Sequence, residues 1–287
     1  MPYMTVPDIK LNDQTTIPQL GFGVFKVEPA QTQAVVENAL EVGYRHLDTA
    51  QMYGNEEGVG KAIAAAGLPR DELYVTTKLN NGFHQPDDAR RAFAESLERL
   101  GLDHVDLFLI HWPLPTRYDG DYASTWRTMT EFAGQRGDGR ATSIGVSNFE
   151  PDHLQGIIDE TGVVPAVNQV EVHPFLTNER VRAADVQHGI ATEAWSPIAR
   201  GQVADDPTIG AIADRLGRTP AQVTLRWHVQ RGDIVFPKTT SPERMRENFA
   251  IFDFELGADD MAAISGLDRG EAGRTGPNPN KMDWIPG

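Results

Sequence analysis

Apolar strand-like segments alternate with helix-like stretches along almost the whole chain, and this alternation restricts its possible folds more than any other feature. Such a pattern favours a parallel sheet whose strands are joined by helical crossovers. Eight candidate strands lie near residues 20–24, 46–49, 74–78, 107–111, 144–147, 167–170, 192–196 and 234–237. The sequence therefore predicts an α/β fold of the (β/α)8 TIM-barrel type, in which functional groups lie at the carboxyl ends of the strands.

The two ends of the chain supplement this barrel. Residues 9–17 resemble a short hairpin with Asn-Asp in its turn, and we expect it to close the bottom of the barrel. The run Thr-Pro-Ala-Gln at 219–222 is a capping box with proline at the first helical position, which predicts a helix to about residue 230. The Gly- and Pro-rich tail after residue 270 should lie as a loop over the mouth. No linker divides the chain, so residues 1–287 are expected to form one domain.

Composition excludes several classes of protein. The formal net charge is -15, from 41 acidic and 26 basic residues, which argues against nucleic acid or an anionic membrane as partner. The absence of cysteine excludes disulfides, thiolate nucleophiles and Cys-based zinc sites. No cluster has metal-ligand spacing, so we expect no metal. Since no apolar run approaches a membrane span and the first residues lack an export pattern, we expect a cytoplasmic protein, and we expect a monomer.

Three successive predicted strands end in ionisable residues: Asp48, Lys78 and His111. Because the carboxyl ends of barrel strands converge, these side chains should meet at one mouth, and Tyr53 in the adjoining loop can turn back over them. The Lys78 ammonium would lower the pKa of the Tyr53 phenol from about 10, while Asp48 would keep the lysine charged. His111 could then donate a hydrogen bond to a substrate carbonyl. The set predicts a proton donor with its activating groups.

Each of these residues also has a purely structural interpretation. Asp48 alone can be a loop cap, Lys78 a solvated strand end, His111 a buried barrel histidine and Tyr53 a packing residue. Four suitable residue types at three successive strand ends and one loop nevertheless favour catalysis. Lys78 has a second catalytic interpretation, as the Schiff-base nucleophile of a barrel lyase.

The segment after the eighth predicted strand has the features of a phosphate site. Ser241 suits a helix N-cap, and barrels often bind phosphate at a helix N-terminus in this region. Lys238 and Arg244 can clamp a phosphate through charge-assisted hydrogen bonds. A basic, solvated helix face is the structural alternative. The Gly-Phe-Gly run at 21–23 is no Rossmann fingerprint, because no third glycine follows it.

These motifs resemble those of the aldo-keto reductase family over nearly the whole chain. Residues 47–60 are similar to the family's Asp-to-Tyr signature, and residues 77–78 and 110–113 are similar to its Lys and His segments. Details at 163–169 and 236–239 are most similar to bacterial 2,5-diketo-D-gluconate reductases. The resemblance implies NADPH-dependent reduction of aldehydes or ketones, with keto-sugar acids or small reactive carbonyls as candidate substrates.

The resemblance also implies roles for the four residues at the predicted mouth. Tyr53 is the proton donor, Lys78 with Asp48 lowers its pKa, and His111 orients the carbonyl. A barrel that holds NADPH as a redox sensor or regulator, with little turnover, is an alternative that the family leaves open.

Cofactor contacts follow from the same resemblance. Ser147, Asn148 and Gln169 are expected to bind the nicotinamide carboxamide, and Trp195 to stack on the ring. A belt at residues 196–202 is expected along the pyrophosphate. The further residues expected to contact the cofactor are Thr49, Ser196, Ile198, Arg200, Lys238, Thr239, Arg244 and Asn248, the last four of which match the family's 2′-phosphate motif.

The expected substrate walls are Phe25, Trp112 and Trp284, together with Asn80 and His111. Aromatic walls favour carbonyl compounds with an apolar or planar part. Asn80 departs from the bulky aromatic residue of the diketogluconate reductases, so sugar-acid specificity does not transfer. Arg200 is a second departure, since an uncharged residue is usual there; it adds a phosphate contact or faces water.

Overall fold

Eight parallel strands form the centre of the protein in a computed structural model that describes residues 6–134 and 140–286. A two-stranded hairpin precedes them. The strands are β1 Asp8–Lys10, β2 Thr16–Pro18, β3 Phe22–Gly23, β4 His46–Asp48, β5 Tyr74–Leu79, β6 Val105–Ile110, β7 Ala141–Ser147, β8 Val167–Glu171, β9 Ala191–Trp195 and β10 Ile234–Val235.

The eight strands pair in chain order from β3 to β10. A parallel bridge between Leu20 and Val235 joins the two outer edges, and the Gly21 amide donates to the Val235 carbonyl at 2.7 Å. The sheet is therefore closed into a barrel, which confirms the predicted fold class. The strand positions agree with the prediction, except that β3 and β10 are limited to two residues and β6 and β7 begin earlier, at Val105 and Ala141.

Helices connect the strands and surround the barrel. Within the described residues they are α1 Pro29–Val42, α2 Glu56–Ala66, α3 Pro86–Leu100, α4 Tyr122–Thr130, α5 Pro151–Thr161, α6 Glu179–His188, α7 Pro207–Leu216, α8 Pro220–Arg231, α9 Pro242–Phe249 and α10 Ala258–Ser265. The capping box predicted for α8 is present, with the Gln222 amide donating to the Thr219 hydroxyl at 3.2 Å. None of these helices is long and apolar enough to cross a membrane.

The hairpin covers the amino-terminal end of the barrel. Its strands β1 and β2 pair antiparallel, with Ile9 opposite Ile17. Ile17 is buried in one cluster with Leu107, Val167 and Ile234, which come from three barrel strands. Burial of this apolar cluster fixes the hairpin against the barrel, as predicted.

The tail after α10 crosses the opposite end. At the end of β8, the Glu171 carboxylate accepts hydrogen bonds from the Thr275 amide at 2.6 Å and the Gly276 amide at 3.1 Å. Farther along, Asn81 in the loop after β5 donates from Nδ2 to the Trp284 carbonyl at 2.9 Å. Two separate contacts therefore hold the tail over the carboxyl ends of the strands, which confirms the predicted loop over the mouth.

Candidate active site

A buried ion pair forms the base of the candidate site. Lys78 on β5 donates from Nζ to both carboxylate oxygens of Asp48 on β4, each at 2.8 Å, and to the Thr49 carbonyl at 2.9 Å. The Lys78 side chain is 0% exposed. Burial is the largest single effect and would lower the pKa of Lys78, but the charges of Asp48, Tyr53 and Glu193 and the Asp48 hydrogen bond together raise the pKa. Lys78 therefore stays charged at neutral pH, as the sequence predicted.

Tyr53 lies against this pair. Its hydroxyl is 3.5 Å from Lys78 Nζ, and the ammonium is 5.1 Å from the centre of the phenol ring. Burial raises the pKa of Tyr53 and Lys78 lowers it, with burial the larger effect. The predicted net lowering is wrong, because desolvation of a phenolate costs more than one nearby cation restores. Tyr53 therefore keeps its proton at neutral pH, and Lys78 makes that proton easier to release than burial alone would.

His111, which follows β6, completes the group. Its ring centre is 5.6 Å from that of Tyr53, with the planes at 75°. Burial and then the Lys78 charge hold the pKa of His111 well below its usual range, so the imidazole is neutral. Its Nδ1 is buried without a hydrogen-bond partner among the residues described. A neutral imidazole with unused hydrogen-bonding capacity can serve a substrate oxygen.

Asn55, which sequence reasoning missed, holds the Tyr53 loop in place. Its Nδ2 donates to the Val24 carbonyl at 3.0 Å, and its Oδ1 accepts from the Thr49 hydroxyl at 3.0 Å. Thr49 is buried, its hydroxyl is committed to Asn55, and its carbonyl accepts from Lys78. The structure thus gives Thr49 a part in holding Lys78, and its predicted contact with the cofactor stays a prediction.

The residues predicted to meet a carboxamide lie close together on neighbouring strands: Ser147 ends β7, Asn148 follows it, and Gln169 lies within β8. The Ser147 hydroxyl donates to the Gln169 carbonyl at 2.8 Å. Asn148 donates from Nδ2 to the His111 carbonyl at 2.9 Å, and its Oδ1 accepts from Trp195 Nε1 at 2.8 Å. Asn148 has a φ of 64°, an unusual conformation for a residue with a side chain. This network fixes the Trp195 ring relative to His111.

The amide of Gln169 extends into the barrel interior. Its Nε2 donates to Asp48 Oδ2 at 2.8 Å and to Glu193 Oε2 at 2.9 Å. Glu193 on β9 is completely buried, and burial, followed by the Asp48 charge, raises its pKa to about 8. Sequence reasoning missed Glu193, although an acid in the middle of an apolar barrel strand was the signal available.

The tail covers one edge of Trp195. A Cβ added to Gly276 would lie 2.4 Å from Cη2 of the Trp195 ring, a distance that no side chain tolerates. Glycine at 276 thus permits the backbone to approach the aromatic ring this closely. The Glu171 contact described above holds the glycine there.

The predicted phosphate segment has the expected local structure. The Ser241 hydroxyl accepts from the Arg244 amide at 3.3 Å and caps α9, and the Thr239 hydroxyl accepts from the Ser241 amide at 3.1 Å. Lys238 and Arg244 are exposed, and neither has a carboxylate within 4.0 Å in the part of the chain that the structure describes. Asn248 is buried on the same helix. Two uncompensated cations beside a helix N-terminus suit an anionic group.

The belt after β9 has an unusual backbone. Ser196, Ala199 and Arg200 have φ values of 51°, 47° and 54°, in the left-handed region. Ile198 is half-buried, whereas Arg200 is exposed. Conformations of this kind store strain and cluster at ligand-binding loops. The predicted contact of the belt with the pyrophosphate stays a prediction. Arg200 faces solvent.

Of the predicted substrate walls, two are open to solvent. Phe25 is 50% exposed with its ring 5.0 Å from that of Tyr53, and Trp284 is 55% exposed. Trp112 is buried. The Asn80 side chain is partly occupied, because its Oδ1 accepts from a backbone amide of its own loop at 2.9 Å. The exposed aromatic surface of Phe25 beside the Tyr53 phenol suits an apolar ligand, and its predicted contact with the substrate stays a prediction.

Comparisons with known proteins agree with this geometry. The family model described as "Aldo/keto reductase family" matches residues 19–269. An aldo-keto reductase of Mycobacterium sp. (strain JLS) is 49% identical over 282 residues, covering 98% of this chain and 100% of the relative. The methylglyoxal reductase DkgA of Yersinia pestis is 49% identical over 276 residues, covering 95% and 96%.

Solved structures show the same similarity. A Gox0644 mutant in complex with NADPH has a TM-score of 0.92 at 44% identity, covering 98% of this chain and 100% of that chain. A Bombyx mori aldo-keto reductase in complex with NADP has a TM-score of 0.84 at 39% identity, covering 92% and 94%. With the match of the family model over most of the barrel, these similarities establish that the chain belongs to the aldo/keto reductase family.

Proposed function

We propose that this protein is an NADPH-dependent oxidoreductase that reduces aldehydes or ketones to alcohols, with Tyr53 as the proton donor. The observation that carries the proposal is the Tyr53 hydroxyl 3.5 Å from the buried Lys78 ammonium, which is in turn held by Asp48. Family membership and the NADPH-bound Gox0644 structure support it.

The residues present fit such a cofactor. Lys238 and Arg244 offer two uncompensated cations for the 2′-phosphate, and Trp195 offers a fixed aromatic face. The Oε1 atom of Gln169 has no hydrogen bond within the described ranges and suits the carboxamide N–H. When bound, NADPH supplies the hydride that the carbonyl carbon accepts.

Proton delivery follows from the electrostatics of the site. The raised pKa of Tyr53 keeps the phenol protonated at neutral pH. As the substrate oxygen gains negative charge, Tyr53 donates its proton, and Lys78 stabilises the phenolate that remains. Asp48 keeps Lys78 charged throughout. The neutral His111 donates a hydrogen bond that orients the carbonyl and stabilises the developing charge.

Several classes of carbonyl compound are candidate substrates for this site. Phe25 and Trp284 present apolar surface, so we infer that small reactive carbonyls, or carbonyls with an apolar or planar part, suit the mouth. A relative named methylglyoxal reductase supports the first class. Keto-sugar acids such as 2,5-diketo-D-gluconate remain candidates for direct assay, with Asn80 as the position that distinguishes this mouth from the diketogluconate reductases.

The Schiff-base alternative is weakened by the state of Lys78. A nucleophilic lysine must be neutral, but here the raised pKa and three contacts to Asp48 and Thr49 hold the ammonium form. The redox-sensing alternative predicts NADPH binding without turnover, so a turnover assay separates it from the proposal.

Removing the phenolic hydroxyl tests the proposed function. NADPH oxidation is followed with a panel that includes methylglyoxal, an aromatic aldehyde and a keto-sugar acid. Tyr53→Phe should lose at least ~10²-fold in kcat, the contribution of general-acid catalysis, while its NADPH affinity stays near that of the wild type. Tyr122→Phe, in α4, is the matched control and should retain activity. Near-normal turnover by Tyr53→Phe would refute the proposed proton donor.

A further inference from the structure

We propose that Glu193 is a positioning residue that orients the Gln169 amide, so that the amide oxygen of Gln169 is left free to accept from the carboxamide of the cofactor. This inference rests on the function proposed above. Glu193 itself contacts neither cofactor nor substrate in this proposal; it acts through Gln169.

The contacts of Gln169 carry the first step. β8 and β9 place Gln169 directly opposite Glu193, and both side chains are buried. The two hydrogens of Gln169 Nε2 are used by Asp48 Oδ2 and Glu193 Oε2, at 2.8 and 2.9 Å. The reverse orientation would direct the Gln169 Oε1 at the Asp48 carboxylate, which is repulsive. Nε2 is therefore the buried end of the amide, and Oε1 is the end available to a ligand.

The second step concerns the proton of Glu193. His46 Nδ1 is 3.2 Å from the Pro18 carbonyl, which can only accept, so Nδ1 carries the hydrogen and Nε2 is an acceptor. His46 Nε2 is 3.7 Å from Glu193 Oε1, and that oxygen has no hydrogen-bond partner among the described residues. His46 Nε2 also lies 3.3 Å from the Thr76 hydroxyl, so a neutral Glu193 carries its proton on that Oε1 while its Oε2 accepts from Gln169.

Charges around Glu193 favour this neutral form. Asp48 and His46 face it from β4, and Lys78 and Tyr74 face it from β5. Lys78 already neutralises Asp48, so an ionised Glu193 would be a second, uncompensated carboxylate in the interior. Burial and Asp48 raise the pKa of Glu193 to about 8, and burial lowers the pKa of His46 to about 4. Both groups are then neutral near pH 7, and hydrogen bonds connect Glu193 through Gln169 to Asp48.

A glutamine at 193 can reproduce the hydrogen bond to Gln169, because its amide oxygen accepts from Gln169 Nε2 and its neutral amide replaces the neutral carboxyl group. Glu193→Gln is therefore the conservative variant expected to keep the Gln169 orientation. Glu193→Leu has a similar volume but no acceptor, so Gln169 loses one of its two anchors. Contrasting these two variants separates hydrogen bonding from packing.

The experiment measures cofactor binding, so its readout does not depend on turnover. Dissociation constants are determined by tryptophan fluorescence for NADPH and for the analogue whose carboxamide is replaced by an acetyl group, which has no N–H to donate. The wild type and Glu193→Gln should bind NADPH about tenfold more tightly than the analogue, the value of one hydrogen bond. Glu193→Leu should bind both cofactors with similar affinity, as should Gln169→Leu.

A purely structural role for Glu193 gives a different result. Glu193→Leu would then weaken the binding of NADPH and of the acetyl analogue equally, so the ratio of their dissociation constants would not change, and the proposal would be overturned. If Glu193→Leu does not fold, Glu193→Met provides the same comparison with a more adaptable side chain. Equal binding of the two cofactors by the wild type would overturn the proposal without any variant. Failure of the proposed function would be seen in a different measurement, because the Tyr53→Phe variant would then turn over substrate at a rate near that of the wild type.

Discussion

The buried pair of Lys78 and Asp48 allows a quantitative test of the site's electrostatics. Lys78→Met and Asp48→Asn each remove one charge while keeping much of the side-chain volume. Either change leaves the partner charged in the interior, with neutral groups such as the Thr49 carbonyl and the Gln169 amide as its remaining contacts. Each single variant should therefore be destabilised by about 3–5 kcal/mol, the usual cost of breaking a buried pair.

The separation of the charges sets the expected coupling. At 2.8 Å and an effective dielectric of about 20, the attraction of the pair is ~6 kcal/mol. The double variant removes both charges, so neither is left unpaired, and its free energy of unfolding should fall far less than the sum of the singles. A coupling energy of about 3 kcal/mol or more is expected from the double-mutant cycle.

Urea denaturation of the four proteins at pH 7 measures this cycle. The chain offers a matched control in Lys61 and Glu57, an exposed pair at 2.7 Å on α2. The distance between its charged atoms is within 0.1 Å of that in the buried pair while its solvent exposure differs, so Lys61→Met and Glu57→Gln should show only weak coupling. If the two cycles give equal coupling, or if the Lys78 and Asp48 singles are additive, burial does not strengthen the pair and the reasoning is refuted.

Three further changes test other parts of the structure. Gly276→Ala places a methyl group against Trp195, so the KM for NADPH should rise, with little change in the melting temperature as the check that the fold persists. Lys238→Ala and Arg244→Ala should each raise the dissociation constant of NADPH about 10- to 100-fold, because each removes one charge-assisted contact to the 2′-phosphate. The affinity for NADH, which has no 2′-phosphate, should stay nearly unchanged. Glu193 holds its proton to about pH 8 in the folded state, so its contribution to stability is complete below pH ~4.5 and is lost as pH rises to 8. Relative to Glu193→Gln, the wild type should lose up to ~1.4 kcal/mol of unfolding free energy per pH unit in that window, and a constant difference in urea titrations would contradict this.

Much of the site could be predicted because a barrel converts strand order into position. Asp48, Lys78 and His111 end or follow successive strands, so their convergence followed from the fold class alone. The start of α9 in the predicted phosphate segment could also be predicted, because a serine before a proline is typical of a helix N-cap. Glu193 stands out locally as an acid within an apolar strand, but its partner Gln169 is 24 residues away in the chain, so their hydrogen bond could not be predicted from the local pattern.

Local patterns along the chain determined the order of strands and helices and the hairpin beneath the barrel, and they led to Tyr53 as the proposed proton donor. Only the tertiary structure decided the protonation behaviour of the site. The pKa of Tyr53 depends on how completely neighbouring groups exclude water, and burial outweighs the Lys78 charge. The orientation of the Gln169 amide depends on Asp48, which is 121 residues away in the chain. Desolvation and hydrogen bonding act through space, so they are set only when the folded barrel brings distant residues into contact.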